Sequence, residues 1–223
     1  MNELLLRRRL AQISGEHYTA DDYIQDGLVL LLDGPDYDGG STWTDRKGGK
    51  SFTKNKTVSK EGKGVYCNGG YFECTSGISV SQSAGTIEVV ADRKKVSTAN
   101  EYMFMRAATG QLVYAVNTSK YVLISNFTPN QNRVFLDADV KVGKFVHSIN
   151  NTVNYFNGVS KSYTGTGSAS RGGGAISVGG ISSGYYFYGV IYCIRVYNRK
   201  LSAEEMLFNQ HIDNVRFGLG LTI

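Results

Sequence analysis

Apolar positions along the chain fall into short runs, many only four to seven residues long and rich in Val, Ile, Tyr and Phe. Glycine and asparagine separate the runs, which is the punctuation of strands and tight turns. Residues 27–33 read Gly-Leu-Val-Leu-Leu-Leu-Asp, a continuous apolar strand ended by Gly34-Pro35 and Gly39-Gly40. Further strands are predicted over residues 64–67, 70–74, 85–91, 102–106, 112–116, 121–125, 133–136, 144–150, 152–156, 175–179 and 185–197. Their number and spacing predict an all-β chain with two packed antiparallel sheets. Asn150-Asn151 and Asn157-Gly158 lie between apolar runs and mark hairpins, because both residue types tolerate positive φ.

Two segments carry helical patterns. Residues 3–12 combine helix-forming composition with Leu6 and Leu10 on one face, and Arg7, Arg8 and Arg9 around them. So narrow an apolar face is marginal alone and predicts a docking partner. Residues 14–22 then form a polar connection. At the other end Ser202-Ala203-Glu204-Glu205 is a capping box followed by Met206, Leu207 and Phe208, which predicts a short helix laid on the sandwich. The expected organisation is therefore a helical anchoring or oligomerisation segment over residues 1–22 and a sandwich over residues 23–223.

Composition narrows this picture. The chain has 223 residues, and sandwiches of that length commonly form one domain. With 27 glycines but prolines only at 35 and 129, it is neither a proline-rich linker nor a disordered polar chain. The net charge is +5, of which Arg7, Arg8 and Arg9 less Glu3 supply +2, leaving the body about +3. Lysines 47, 50, 54, 56, 60 and 63 sit in one glycine-rich stretch, read as a solvated loop rather than a phosphate-binding patch, so no nucleic-acid partner is expected. No run of 18 apolar residues predicts a membrane span, and Leu4-Leu5-Leu6 followed by arginines lacks the order of a signal peptide. Cys67, Cys74 and Cys193 have no metal-ligand spacing; a hairpin turning at Asn68-Gly69 or Gly69-Gly70 would not face Cys67 with Cys74. Free, buried thiols made in a reducing cytoplasm are expected.

The segment Gly189 to Met206, Gly-Val-Ile-Tyr-Cys-Ile-Arg-Val-Tyr-Asn-Arg-Lys-Leu-Ser-Ala-Glu-Glu-Met, resembles the closing strand and helix of concanavalin A-like and laminin-G-like domains. Gly143-Lys-Phe-Val-His147 with Tyr155-Phe-Asn-Gly158 is similar to that family's strand pair ending in an Asn-Gly turn, and residues 27–34 with Trp43-x-Asp45 resemble its opening strand and loop. The resemblance implies a two-sheet antiparallel jelly-roll sandwich but no particular function. The Leu/Arg-rich start, Tyr-Ile-x-Asp-Gly-Leu at 23–28 and Asn-x-Arg-Phe-Gly at 214–218 also resemble lectin-like proteins of phages and prophages of gut bacteria, which implies a virion component.

Glucanases of the superfamily place an E-x-D-x-x-E set on one strand. The candidate strand here reads Glu88-Val-Val-Ala-Asp92-Arg93, with valine and arginine at two of the three acidic places. Glu88 and Asp92 share a face, but four residues put them about 13 Å apart, beyond the roughly 5–9.5 Å that glycoside hydrolysis uses. His17, His147 and His211 have no motif partners. Since relatives of the fold include calcium binders, Asp33, Asp36 and Asp38 are weak candidates for that ion, although Lys47 stands where a loop of the EF-hand kind needs a glutamate.

Sugar recognition needs an aromatic plate with polar groups beside it. Tyr186 and Tyr188 share one face of a strand and Tyr185 and Phe187 the other, so one pair points away from the core; packing or a subunit contact is the alternative for these tyrosines. Trp43 beside Asp45 is a second candidate, with core packing as its alternative. The expectation is thus a non-catalytic, structural or adhesive phage protein made in the host cytoplasm. It would be anchored or homo-oligomerised through Leu4, Leu6, Arg7, Arg8, Arg9 and Leu10, and would display a sandwich that contacts glycans through Tyr186, Tyr188, Trp43 and Asp45. A free or cell-associated carbohydrate-binding module is the alternative, and a glycosidase with an unrecognised acid pair the third reading.

Overall fold

The computed structural model describes residues 17–78, 85–97, 101, 103–106, 111–117, 120–126, 132–136, 142–150, 154–161 and 175–223, with the backbone alone for 105–106 and for the strands between 111 and 136. The helix expected over residues 3–12, with Leu4, Leu6, Arg7, Arg8, Arg9 and Leu10, lies outside the described residues.

Among the described residues the strands are, in chain order, β1 (Leu28–Asp33), β2 (Thr42–Thr44), β3 (Ser51–Asn55), β4 (Val58–Glu61), β5 (Gly64–Asn68), β6 (Tyr71–Cys74), β7 (Thr86–Arg93) and β8 (Phe104–Arg106). They continue as β9 (Gln111–Asn117), β10 (Lys120–Asn126), β11 (Asn132–Leu136), β12 (Gly143–Asn150), β13 (Asn154–Phe156), β14 (Val159–Ser160), β15 (Ile176–Val178) and β16 (Tyr188–Tyr197), and helix α1 (Ala203–Phe217) follows. An eight-stranded sheet has the order β14-β13-β12-β7-β16-β5-β4, with β1 paired to the C-terminal half of β16 beside β5. A five-stranded sheet has the order β2-β3-β6-β15-β8, and β9, β10 and β11 form a third, three-stranded one. All recorded pairings are antiparallel.

Alternation along each strand builds the core. Leu30, Leu32, Val65, Val89, Phe145 and Ile194 of the larger sheet meet Trp43, Phe52, Phe72, Ile176 and Val178 of the smaller one in a single cluster, and each such side chain contributes about 1.5–3 kcal/mol by leaving water. The other face of the larger sheet is covered by α1: Met206, Phe208 and Ile212 pack with Leu31, Val90, Val146 and Cys193. A register shift in β16 between Ile191 and Cys193 sets which residues reach that second layer. The bulge keeps Ile191 and Ile194 in the core while turning Cys193, Arg195 and Tyr197 toward the helix.

Local signals hold where backbone chemistry is decisive. Asn157 and Gly158, with φ of 49° and 77°, turn β13 into β14. The Ser202 hydroxyl accepts from Glu205 N at 3.2 Å and the Glu205 carboxylate accepts from Ser202 N at 2.8 Å, completing the capping box.

Two expectations change. The lysine-rich stretch is not a loop throughout, since β3 and β4 run through it with only Phe52 and Val58 buried, one apolar residue per strand being too sparse to read as a pattern. Asn68-Gly69-Gly70 does not turn a hairpin, because β5 and β6 belong to opposite sheets. Cys67, Cys74 and Cys193 are nonetheless free and buried, and burial pushes the Cys67 thiol up to about 12. Within the connection before Tyr23, the described residues pack on the body: Thr19 caps a short turn over Ala20–Asp22, and Ala20, Tyr23 and Tyr18 join the helix layer.

Candidate functional site

Among the described residues, four connections lead from one sheet toward the other at one end of the sandwich. β3 gives way to β4 through Lys56 and Thr57, β5 to β6 through Gly69 and Gly70, β7 leads through Lys94 and Lys95 toward β8, and β15 leads through Gly180 and Tyr186 to β16. Their nearness is fixed by pairing: Gly189 lies opposite Arg93 and Tyr188 opposite Asn68, while Tyr188 O accepts from the amides of Lys94 and Lys95. Gly179 is required where two crossings touch, because at its φ of +84° a Cβ would stand 2.5 Å from Cys67 Sγ. Loops gathered on a rigid rim are where sandwiches present function.

These crossings bring together Lys56, Tyr71, Tyr186, Tyr188 and Lys95. Tyr186 stacks on Tyr71 with ring centroids 6.3 Å apart. Lys56 Nζ lies 4.6 Å from the Tyr186 centroid and hydrogen-bonds its hydroxyl, and that bond raises the pKa of Lys56. Lys95 Nζ lies 5.2 Å over the Tyr188 ring. Burial, and then Glu73, raise the pKa of Tyr71. Both Tyr186 and Tyr188 keep part of their surface in solvent, whereas Phe187 between them is fully buried; Tyr185, expected on the face of Phe187, is exposed, because the strand begins only at Tyr188 and not at Tyr185. The segment carrying Lys95 is fixed from beneath by a buried pair: Arg93 donates to both carboxylate oxygens of Glu101, at 3.1 and 2.7 Å, and Glu101 also accepts from Ser97 N.

Lys56 has a φ of 61°, a left-handed conformation that glycine or asparagine adopts more readily and that costs a lysine about 1 kcal/mol. Tyr71, Lys56 and Lys95 were not legible as site residues, because their association depends on crossings between sheets. The nearest signal was Lys56 within the lysine-rich stretch.

The other expected contacts lie elsewhere. Trp43 is wholly buried, its indole N–H donates to Asp33 O at 2.9 Å, and its ring packs on Phe72 and Tyr37. Asp45 is equally buried and accepts from the amides of Leu31, Lys47 and Gly48, each at 3.0 Å or less, so it shapes a turn. Both are interior, with packing and turn roles in place of the expected ligand contacts.

The three aspartates weighed for calcium already have partners. Asp33 accepts from Arg216 at 2.8 Å and lies 3.9 Å from Arg46, Asp36 accepts from Arg46 at 3.4 Å, and Asp38 holds the amide of Gly40. Guanidinium groups stand at Asp33 and Asp36 where a cation would, and among the described residues no cluster of three His, Cys, Asp or Glu is arranged for a metal.

Glu88 lies beneath α1, accepting from Arg195 at 2.8 Å, Ser148 at 2.7 Å and Asn209 at 2.7 Å. Burial raises its pKa against the pull of Arg195. Asp92 pairs with Lys94 at 2.7 Å. His147 is buried with Nε2 donating to Asn154 Oδ1 at 2.6 Å, and burial lowers its pKa to about 4.

No protein-family model and no curated protein matches the sequence. Solved structures do match the fold. A Trypanosoma rangeli sialidase in complex with sialic acid aligns with a TM-score of 0.61 at 14% identity, over 84% of this chain and 33% of that one. The same sialidase with the inhibitor DANA gives 0.60 at 15%, over 94% and 39%. The receptor-binding domain of a clostridial neurotoxin gives 0.63 at 11%, over 84% and 51%. This chain therefore spans a third to a half of those chains. At such identities the likeness is one of fold: a two-sheet antiparallel sandwich of the concanavalin A type with one C-terminal helix.

Proposed function

We propose that this chain is a non-catalytic adhesive module that contacts saccharides through the tyrosine rim. In this reading it is a structural component displayed on a bacteriophage particle and held there, as a homo-oligomer or against other subunits, through residues 1–22. The observation that carries the saccharide reading is the pair Tyr186 and Tyr188, partly solvent-facing at the end of a rigid sandwich with cationic groups at their faces. Aromatic rings on a fixed backbone offer an apolar plate at little entropic cost. The sialidase bound to sialic acid shows a saccharide handled by a protein that contains this fold. The phage setting is supported by the sequence resemblances at both ends of the chain.

The test is a glycan array and titration with the purified protein and with Tyr186→Ala and Tyr188→Ala. Each variant should keep the wild-type melting temperature within a few degrees and lose at least about tenfold in affinity, about 1.4 kcal/mol. Unchanged binding in both folded variants would remove the rim from the proposal.

A further inference from the structure

We infer that the rim selects anionic saccharides, those bearing a carboxylate or a sulfate, over neutral ones; the inference rests on the reading of the rim as a saccharide surface. The first ground is the position of Lys56. The turn between β3 and β4 puts this residue at a φ of 61°, where glycine or asparagine would be sterically easier. A lysine there supplies an ammonium brought to the face and hydroxyl of Tyr186.

The second ground is the state of the two cations. One N–H of Lys56 goes to Tyr186, and among the described residues no carboxylate lies within 4.0 Å of Lys56 or Lys95. Lys94, the neighbour of Lys95, differs in being neutralised by Asp92 at 2.7 Å. Two ammonium groups held on aromatic rings, with donor capacity left over, form a receptor for an anion.

The third ground is the exchange that binding requires. The Tyr186 ring already stacks on Tyr71 and carries Lys56 over it. A neutral pyranose settling on that ring displaces the ammonium and gives it nothing in return. An anionic one takes the ammonium as a partner, so the charge lost from the aromatic face is recovered at the ligand.

The experiment titrates lactose, sialyllactose and 6-sulfolactose into the full chain at low and high salt, and repeats the series with Lys56→Gln/Lys95→Gln. Both lysines are surface groups, so the variant should melt with the wild type. At low salt at least one anionic probe should bind about fivefold or more tighter than lactose. That margin should shrink at 0.5 M salt and vanish in the double variant. The carboxylate and sulfate arms identify which anion the rim takes. An anionic preference that survives the double substitution overturns the inference. Equal, tyrosine-dependent binding of lactose and both anionic probes overturns it while leaving the saccharide surface standing. No binding of any probe, together with a blank array of neutral and acidic glycans, overturns both.

Discussion

Arg195 grips Asp213 with both terminal nitrogens, Nη1 to Oδ1 at 2.7 Å and Nη2 to Oδ2 at 2.6 Å, joining the last strand to helix α1 in a fully buried fork. Its Nε donates to Glu88 at 2.8 Å and its guanidinium lies 3.9 Å from the Tyr23 centroid. Tyr23 in turn donates to Asp213 at 2.6 Å and accepts from Arg216, which pairs with Asp33. Burial pulls the Arg195 pKa down, but Asp213 and Glu88 more than offset it, so the group stays charged.

Removing that cation strands two buried carboxylates. Arg195→Met should destabilise the fold by about 3–5 kcal/mol, read as a lowered midpoint in urea denaturation. A loss under about 1 kcal/mol would show that the network contributes little to holding α1 on the sheet.

His147 predicts how stability changes with acid. Its folded pKa is depressed to about 4 by burial, against about 6.5 in an unfolded chain. As pH falls through that window the unfolded state takes up a proton that the folded state refuses, so this group costs about 1.4 kcal/mol per pH unit between roughly 6.5 and 4. The pH dependence of the urea midpoint should be shallower there in His147→Gln. An identical slope would place the acid sensitivity elsewhere.

Trp43→Phe separates packing from recognition. Losing the indole donor to Asp33 O and part of a fully buried ring should cost about 2 kcal/mol in thermal or urea denaturation. Saccharide binding at the rim should be unchanged, and a selective loss of binding with stability intact would return Trp43 to the candidate site.

Removing residues 1–13 should leave every described contact of the sandwich in place, because Tyr18, Ala20 and Tyr23 dock on the helix layer themselves. The truncated protein is expected to melt within a few degrees of the full chain and, under the proposed virion role, to fail to incorporate into particles in a complementation assay. Normal incorporation would refute anchoring through that segment.

The amino-acid sequence by itself determined the features whose causes are local. Short Val/Ile/Tyr/Phe runs became strands, Asn157-Gly158 turned a hairpin because both residues accept positive φ, and Ser202 with Glu205 capped the helix through bonds three residues apart. Alternation placed Tyr186 and Tyr188 opposite the buried Phe187 but failed for Tyr185, which is exposed because β16 begins only at Tyr188. Only the tertiary structure decided that Gly69-Gly70 crosses between sheets, that Trp43 and Asp45 are interior, and that Arg195 turns toward α1. A one-residue register shift in β16 and four crossings at one rim set those outcomes. Such features depend on which distant strands pair, and the period-two pattern of a strand is the same whichever neighbour it takes. The tyrosines were therefore visible in the sequence, while Lys56, Tyr71 and Lys95, which complete the surface around them, were not.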